Sequence, residues 1–278
     1  SLPPTDGMSS NAARWFSENP SKAWGEKFFL AYSPIWMALM GLVMGLGLTK
    51  QIGEWGFLAI GVAVALPLLL VPALIRDERP LGRRWYQTYW FKANLYIGIF
   101  NFAGNYFGSE YFFDVLGMVY DYPMIELTLD ATLVGSGQQK VPIVMYLLTQ
   151  AYWMTYHTTA VVVLRRIRTS SLPIGPVLWP VIVLVVAYFW AWMETRTMAN
   201  PWIESQFYYK DMARMLAYGS AFYALYFIAS FPIFYELDEQ RESNWSLKLT
   251  VGAALAASMI MLFLLDFAAA FFGPLTPT

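Results

Sequence analysis

The chain has 278 residues, 58% of them hydrophobic, 18% aromatic and only 13% charged, with a mean hydropathy of +0.43. A soluble domain carries about 25% charged residues, so this composition points to an all-α, polytopic membrane helix bundle. A net charge of −1 leaves no basic excess for nucleic acid. The absence of cysteine excludes disulfides, thiolate metal sites and a cysteine nucleophile, and a single histidine excludes a His-rich metal site.

Residues 1–27 read as a polar arm with no apolar stretch of the signal-peptide kind. The end of that arm, NPSKAWGEKFF, has the character of a membrane-surface element, with Trp24 at headgroup level beside Lys22 and Lys27. Residues 28–278 read as one membrane domain. Crossing the hydrocarbon takes about 20 apolar residues, and the sequence predicts about seven transmembrane helices, at 28–48, 55–75, 85–108, 141–164, 175–195, 212–235 and 247–272. Between the third and fourth, YFFDVLGMVYDYP is too short to cross and is expected to form an interfacial or re-entrant helix. Residues 125–140, with Gly135 and Gly137, are expected to form a loop. No internal repeat is present.

Lysine and arginine set the orientation. The N-terminal arm, the connections around 76–84 and 165–168, and the region 241–248 carry twelve of them, against five on the other side. The N-terminus is therefore expected to be cytoplasmic and the C-terminus outside.

The third span contains a polar stripe. Asn94, Gly98, Asn101, Asn105 and Gly108 fall on one helical face. Such amides either line a cavity or bind neighbouring helices by hydrogen bonds. Ionisable groups within spans are functional candidates for the same reason. His157 lies about 10 Å from the inner end of the fourth span, with Gln150 two turns earlier on its face. It is either a proton carrier near neutral pH or a hydrogen-bonded structural partner. Glu194 and Asp266 should sit near the outer boundary, where Asn105 and Glu110 also arrive, and either pair with Arg196 or stay hydrated. A carboxyl in an apolar pocket is the kind kept protonated as an acid. Lys92 is expected to snorkel inward in a structural role. On the sixth span Gly219, Tyr223, Tyr226 and Ser230 share a face suited to an apolar cavity. There is no phosphate loop, nucleophile elbow or metal-ligand motif. These features favour a lipid-like substrate and acid–base chemistry without a cofactor.

Seven strings, in order over some 250 residues, resemble the cycloeucalenol cycloisomerases, or cyclopropyl sterol isomerases. They are NPSKAWGE (19–26), YWFKANLYI (89–97), GNYF with YFFDVLG (104–107, 111–117), YHTTAVVVLRRIR (156–168), ET with MAN (194–200), FYALYFIASFPIFYELDE (222–239) and LLDF with FFGP (264–274). The resemblance implies opening of the 9β,19-cyclopropane of cycloeucalenol to the Δ8 sterol obtusifoliol. An acid protonates the cyclopropane methylene, charge develops at C9, and a base removes the C8 proton. Within that reading Glu194, at the end of an aromatic span beside polar neighbours, is the expected proton donor and His157 the base or relay. Asn101, Asn105, Tyr223 and Asp266 would orient the acid or the sterol hydroxyl, and Tyr106, Tyr226 and Trp192 would complete the pocket. Glu110 is a further acid–base candidate. The family pattern has histidines where this chain has Glu110 and Gln150. Asp238 and Glu239 match it and are expected to be surface or capping residues of an inner loop.

Helix arithmetic puts His157 and Glu194 in opposite leaflets, roughly 20 Å apart, unless a kink at Pro180 or a misplaced span boundary closes the gap. This favours the outer cluster as the site. The expected partners are a sterol and membrane lipids, with oligomeric state left open. The expected location is the endoplasmic reticulum of a eukaryote or the inner membrane of a bacterium. The alternatives are a sterol Δ8–Δ7 isomerase and a sterol binder or transporter, the latter disfavoured by the lack of repeated halves.

Overall fold

The computed structural model describes residues 13–273. The first twelve residues of the predicted arm and Pro274 of the FFGP string lie outside them. Helix accounts for 69% of the structure and strand for one short pair, so the all-helical expectation holds. The long elements are α1 (Pro20–Gly45), α2 (Glu54–Ala65) running into α3 (Pro67–Ile75), and α4 (Tyr89–Ala103) continuing through a π turn at Gly104–Gly108 into α5 (Ser109–Asp114). After strand β1 (Met118–Tyr120) come α6 (Ile143–Arg168), α7 (Leu178–Met198) and strand β2 (Phe207–Tyr209). A single turn, α8 (Met212–Arg214), and a second π turn at Met215–Gly219 lead into α9 (Ser220–Glu236), and α10 (Leu247–Phe272) follows.

Five of the long helical stretches are apolar enough to cross a membrane: Pro20–Gly45, Glu54–Ile75, Leu178–Met198, Met212–Glu236 and Leu247–Phe271. They mark an integral membrane protein. The stretch from α4 to α5 and helix α6 are equally long but spend positions on amides, hydroxyls and charges. Their placement explains this. Helix α6 is the hub, packed against α1, α2, α4, α7 and α9, while α4 packs against α1, α3, α6 and α10. Their polar groups face protein, where partners exist.

Helix α1 starts at Pro20 rather than 28. Asn19 caps it, its side chain accepting from the Ser21 and Lys22 amides, and Pro20 occupies the first position, where a missing N–H costs nothing. Two prolines divide and bend the second stretch, because neither can donate to the carbonyl four residues earlier. The carbonyls so exposed find side-chain donors. Near Pro67, the Tyr32 hydroxyl donates to Val64 O at 2.8 Å. The Leu68 carbonyl, orphaned by Pro72, accepts from Asn94 Nδ2 at 3.0 Å. Asn94 is thus a packing contact that mends a proline break. Pro180 causes no kink, because it lies in the first turn of α7.

At one end of the bundle the chain buries an ionic cluster. Arg165 on α6 makes bidentate contact with both Glu26 (2.6 and 3.0 Å) and Glu239 (2.6 and 2.7 Å). Lys22 completes the charge balance at 2.8 Å from Glu239 and donates to the Tyr235 and Leu237 carbonyls, each at 2.7 Å. Beside it Lys92 meets Asp238 at 2.5 Å, with Arg83 at 3.3 Å and the Trp245 amide at 2.7 Å on the same carboxylate. Lys92 is structural, as expected. The expectation that Asp238 and Glu239 are surface residues is corrected: Asp238 is fully buried and Glu239 is the hinge of the cluster. An inner loop rich in acids had looked solvated only because its cationic partners lie some 70 to 215 residues away in sequence.

Burial alone would push the Glu239 carboxyl up, but Arg165 and Lys22 outweigh it and hold the group below the ordinary glutamate range. A depressed folded-state value stabilises fully above the unfolded value, about 4.3, and that contribution is lost as pH falls through the lower folded-state value. Thermal unfolding in detergent should therefore show a midpoint that drops on acidification below about pH 4.3. The Glu239→Gln variant should be less stable near neutrality and flatter across that acid limb.

Strands β1 and β2 pair antiparallel, Met118 with Tyr209 and Tyr120 with Phe207, and form a small lid over the bundle. The predicted interfacial helix survives only as α5, and MVY turns into strand because FYY lies alongside it. Gln206 ties the lid to the end of α1 by donating to Met44 O at 3.1 Å.

Candidate active site

Met145, Thr149, Tyr152 and Tyr156 recur along one face of α6, at i, i+4, i+7 and i+11. All but Tyr156 line a chamber between the helices. Met40 and Met44 of α1, Phe57 of α2, Asn105, Ser109 and Phe112, and Tyr223 and Tyr226 of α9 complete its sides. Tyr120, Phe207 and Tyr209 of the strand pair roof it.

Into this aromatic chamber α7 delivers Glu194. Among the described residues it is the one carboxyl on the wall, and the lining includes no lysine, arginine or histidine. The Tyr156 hydroxyl donates to Glu194 Oε2. Among the described residues no cation stands within ion-pair range of Glu194, since Arg196 lies over the Trp192 ring, 5.7 Å from its centroid.

The asparagine stripe forms a second polar feature. Asn105 Nδ2 donates to Asn101 Oδ1 (2.6 Å) and Thr149 Oγ1 (2.8 Å), and Asn101 Nδ2 donates to Tyr146 O (2.7 Å). This knot clamps α4 to α6. Asn105 lines the chamber, while Asn101 and Gln150 face a separate cleft on the far side of α4 and α6. Asn105 sits in the π turn, a distortion often found at functional sites. Gly104 and Gly108 bracket the turn, and a Cβ on either would run into the Trp153 ring or the Tyr226 hydroxyl. Their lack of a side chain permits that close approach.

The remaining sequence candidates are dispersed. His157 is fully buried off the chamber, its ring edge-on to Phe231 and Phe234. Its Nδ1 faces Trp153 O at 2.7 Å and must carry the proton, so Nε2 accepts from Ser230 Oγ at 2.7 Å. The expected 20 Å separation from Glu194 is nevertheless too large. α6 runs to Arg168 rather than 164, and Tyr156, the residue before His157, reaches Glu194 directly. Asp266 is exposed on α10 and accepts from the Tyr111 hydroxyl at 2.9 Å. Glu110 is buried beneath Gly135, whose φ of +84° only glycine adopts readily, and it does not line the chamber. The π turn adds a residue to the helical register and rotates everything after it, so straight-helix spacing misplaces Glu110. Tyr106 stacks on Phe102, and Trp192 faces outward from α7. Of the outer cluster, the fold brings Glu194 and Asn105 to one chamber and leaves Asp266 and Glu110 elsewhere.

Tyr223 and Tyr226 were singled out from the sequence, but Tyr120, Tyr152, Tyr156 and Tyr209 were not. Tyr152 and Tyr156 could have been found from their shared face with Thr149 on a polar helix. Tyr120 and Tyr209 lie on three-residue strands that leave no periodic signal.

Fold and site define a helical membrane protein with a chamber rich in aromatic side chains and methionines that holds the Glu194 carboxyl. The chain belongs to the cycloeucalenol cycloisomerase family: it is 35% identical to cycloeucalenol cycloisomerase of Arabidopsis thaliana over an alignment spanning 97% of this chain and 93% of the plant protein. It is accordingly an isomerase. No family model matches the chain, and no solved structure matches it.

Proposed function

We propose that this chain opens the 9β,19-cyclopropane ring of a cycloeucalenol-type sterol to give the Δ8 sterol, with Glu194 as the acid. The observation that carries the reading is the Glu194 carboxyl on a chamber lined by aromatic and methionine side chains, hydrogen-bonded by one tyrosine and, among the described residues, with no cation in ion-pair range. The chemistry requires Glu194 to enter the cycle protonated. Its proton goes to C19 as the C9–C19 bond breaks, that bond's electron pair forming the new C–H bond and leaving the cation at C9. The C8–H pair then becomes the 8,9 double bond, and the C8 proton goes to a base. One proton enters and one leaves. The Glu194 carboxylate produced in the first step is the base at hand, and the Tyr156 hydroxyl steadies it. Aromatic faces stabilise a desolvated cation by about 2 kcal/mol or more, which gives Trp153, Tyr223 and Tyr226 their part. We assign His157 a structural role within this reading, locking α6 to α9.

All seven long helical stretches cross the membrane in this reading, with the N-terminus cytoplasmic. The host membrane is that of the endoplasmic reticulum in a eukaryote or the inner membrane in a bacterium. Asn105 closes the chamber wall and offers its Oδ1 to the sterol hydroxyl. Replacing Asn105 by leucine should therefore lower turnover more than it lowers the thermal unfolding midpoint. An equal loss of both would return Asn105 to a packing role.

The deciding experiment is incubation of the purified protein, in lipid, with cycloeucalenol, followed by mass spectrometry for obtusifoliol. Folded protein that gives no product overturns the proposal. A sterol Δ8–Δ7 isomerase would use the same acid and a related cation, and conversion of a Δ8 sterol to its Δ7 isomer, with the cyclopropyl sterol untouched, would favour it.

A further inference from the structure

Helices α1 and α7 both pack on α6 but scarcely touch each other, and a slot lies between them. Its floor is Tyr152 and Tyr156 of α6, and its sides are stripes of α1 (Trp36 to Gly45) and α7 (Trp190 to Met198). The slot and the chamber share Met40, Met44, Tyr152, Glu194 and Met198. They are successive compartments, with Glu194 on the threshold and three methionines around it. Unbranched methionine side chains rearrange cheaply. The outer part of the slot is apolar and open: Met37 is 53% exposed and Met193 39%. Gly41 and Gly45 lie on the α1 side, and a Cβ on either would meet nothing within 4 Å.

We propose that this slot is the entry route by which a sterol passes sideways from the bilayer, between α1 and α7, into the chamber, with Met40, Met44 and Met198 as the parting gate. The occupant follows from continuity. The slot opens on membrane-crossing helices, is walled mainly by apolar and aromatic side chains with Arg196, Thr197 and Asn200 at one end of α7, and reaches the carboxyl of the candidate site. The α1 side, from Trp36 to Gly45, offers a flat sterol only apolar contacts. The proposal rests on the sterol isomerase reading for its substrate.

Because the chain lacks cysteine, a Gly41→Cys variant can be labelled at one site. In lipid nanodiscs with cycloeucalenol, unlabelled Gly41→Cys should turn over like the natural chain. Labelling with pyrene maleimide should lower kcat/KM by about tenfold or more, since blocking access slows association rather than chemistry. The control is Gly98→Cys, in the separate cleft of α2, α4 and α6, whose labelling should change nothing. Turnover unchanged by the label at Gly41 overturns the route. A diazirine-bearing sterol gives a readout independent of turnover: adducts should form on Met37 and Met193 and disappear in the labelled variant. If the natural chain shows no isomerase activity, the adducts decide. Slot adducts lost on labelling keep the route while the isomerase reading falls, and adducts confined to other surfaces overturn the route itself.

Discussion

Glu194→Gln should abolish most ring opening while leaving the bundle folded, with obtusifoliol formation falling by about 10²- to 10⁴-fold, the usual worth of a positioned general acid. Glutamine keeps the side chain's shape, and its carbonyl still accepts from the Tyr156 hydroxyl, so packing around α6 and α7 is preserved. What disappears is the proton that must reach C19 and the carboxylate that takes one back from C8. Tyr156→Phe should act more mildly, because it removes one hydrogen bond to a carboxylate, worth about 1.5–3 kcal/mol. Since each 1.36 kcal/mol corresponds to tenfold in rate, about 10- to 100-fold is expected. The measurements are product by mass spectrometry and an unfolding midpoint for each variant. A Glu194→Gln protein that folds and keeps its rate would place the acid elsewhere, and Glu110 and Asp266 would then need separate tests.

Why the sequence revealed some of this and not the rest can be followed residue by residue. Long apolar runs revealed the helices, because crossing hydrocarbon imposes length and composition together. Polar positions inside those runs marked the third and fourth stretches as special, and the same reading singled out Asn105 and, at the end of the fifth span, Glu194, which the fold brings to one chamber. Roles and neighbours were harder to see. His157 drew attention as the one histidine, yet nothing local tells a proton carrier from an imidazole held between a carbonyl and a serine two helices away. Glu110 was misplaced because the π turn breaks the straight-helix count, and no rule of composition announces such a turn. Asp238 and Glu239 read as surface or capping acids because burial depends on partners distant in sequence. Strands of three residues carry too few positions for an alternation to show.

That blindness to distant partners matters most at the ionic cluster. Arg165→Met should be the most destabilising of the substitutions considered, by about 3–5 kcal/mol, the cost of removing one member of a buried ion pair. It would leave Glu26 and Glu239 facing each other with Lys22 as their only nearby cation. Removing all four charges together, with Lys22→Met, Glu26→Gln, Arg165→Met and Glu239→Gln, should recover much of the loss, because well-packed neutral side chains replace a buried network at little cost. Denaturant titration in detergent measures both. Turnover per folded molecule should stay near that of the natural chain in each variant, because none of the four side chains lines the chamber. This separates two meanings of family likeness. NPSKAWGE, the RRIR end of α6 and ELDE all build the cluster, so they report a shared scaffold. Evidence for shared chemistry has to come from Glu194 and the tyrosines around it. Loss of turnover in folded Arg165→Met beyond the loss of folded protein would show that the cluster also positions α6, and with it Tyr152 and Tyr156, for the reaction.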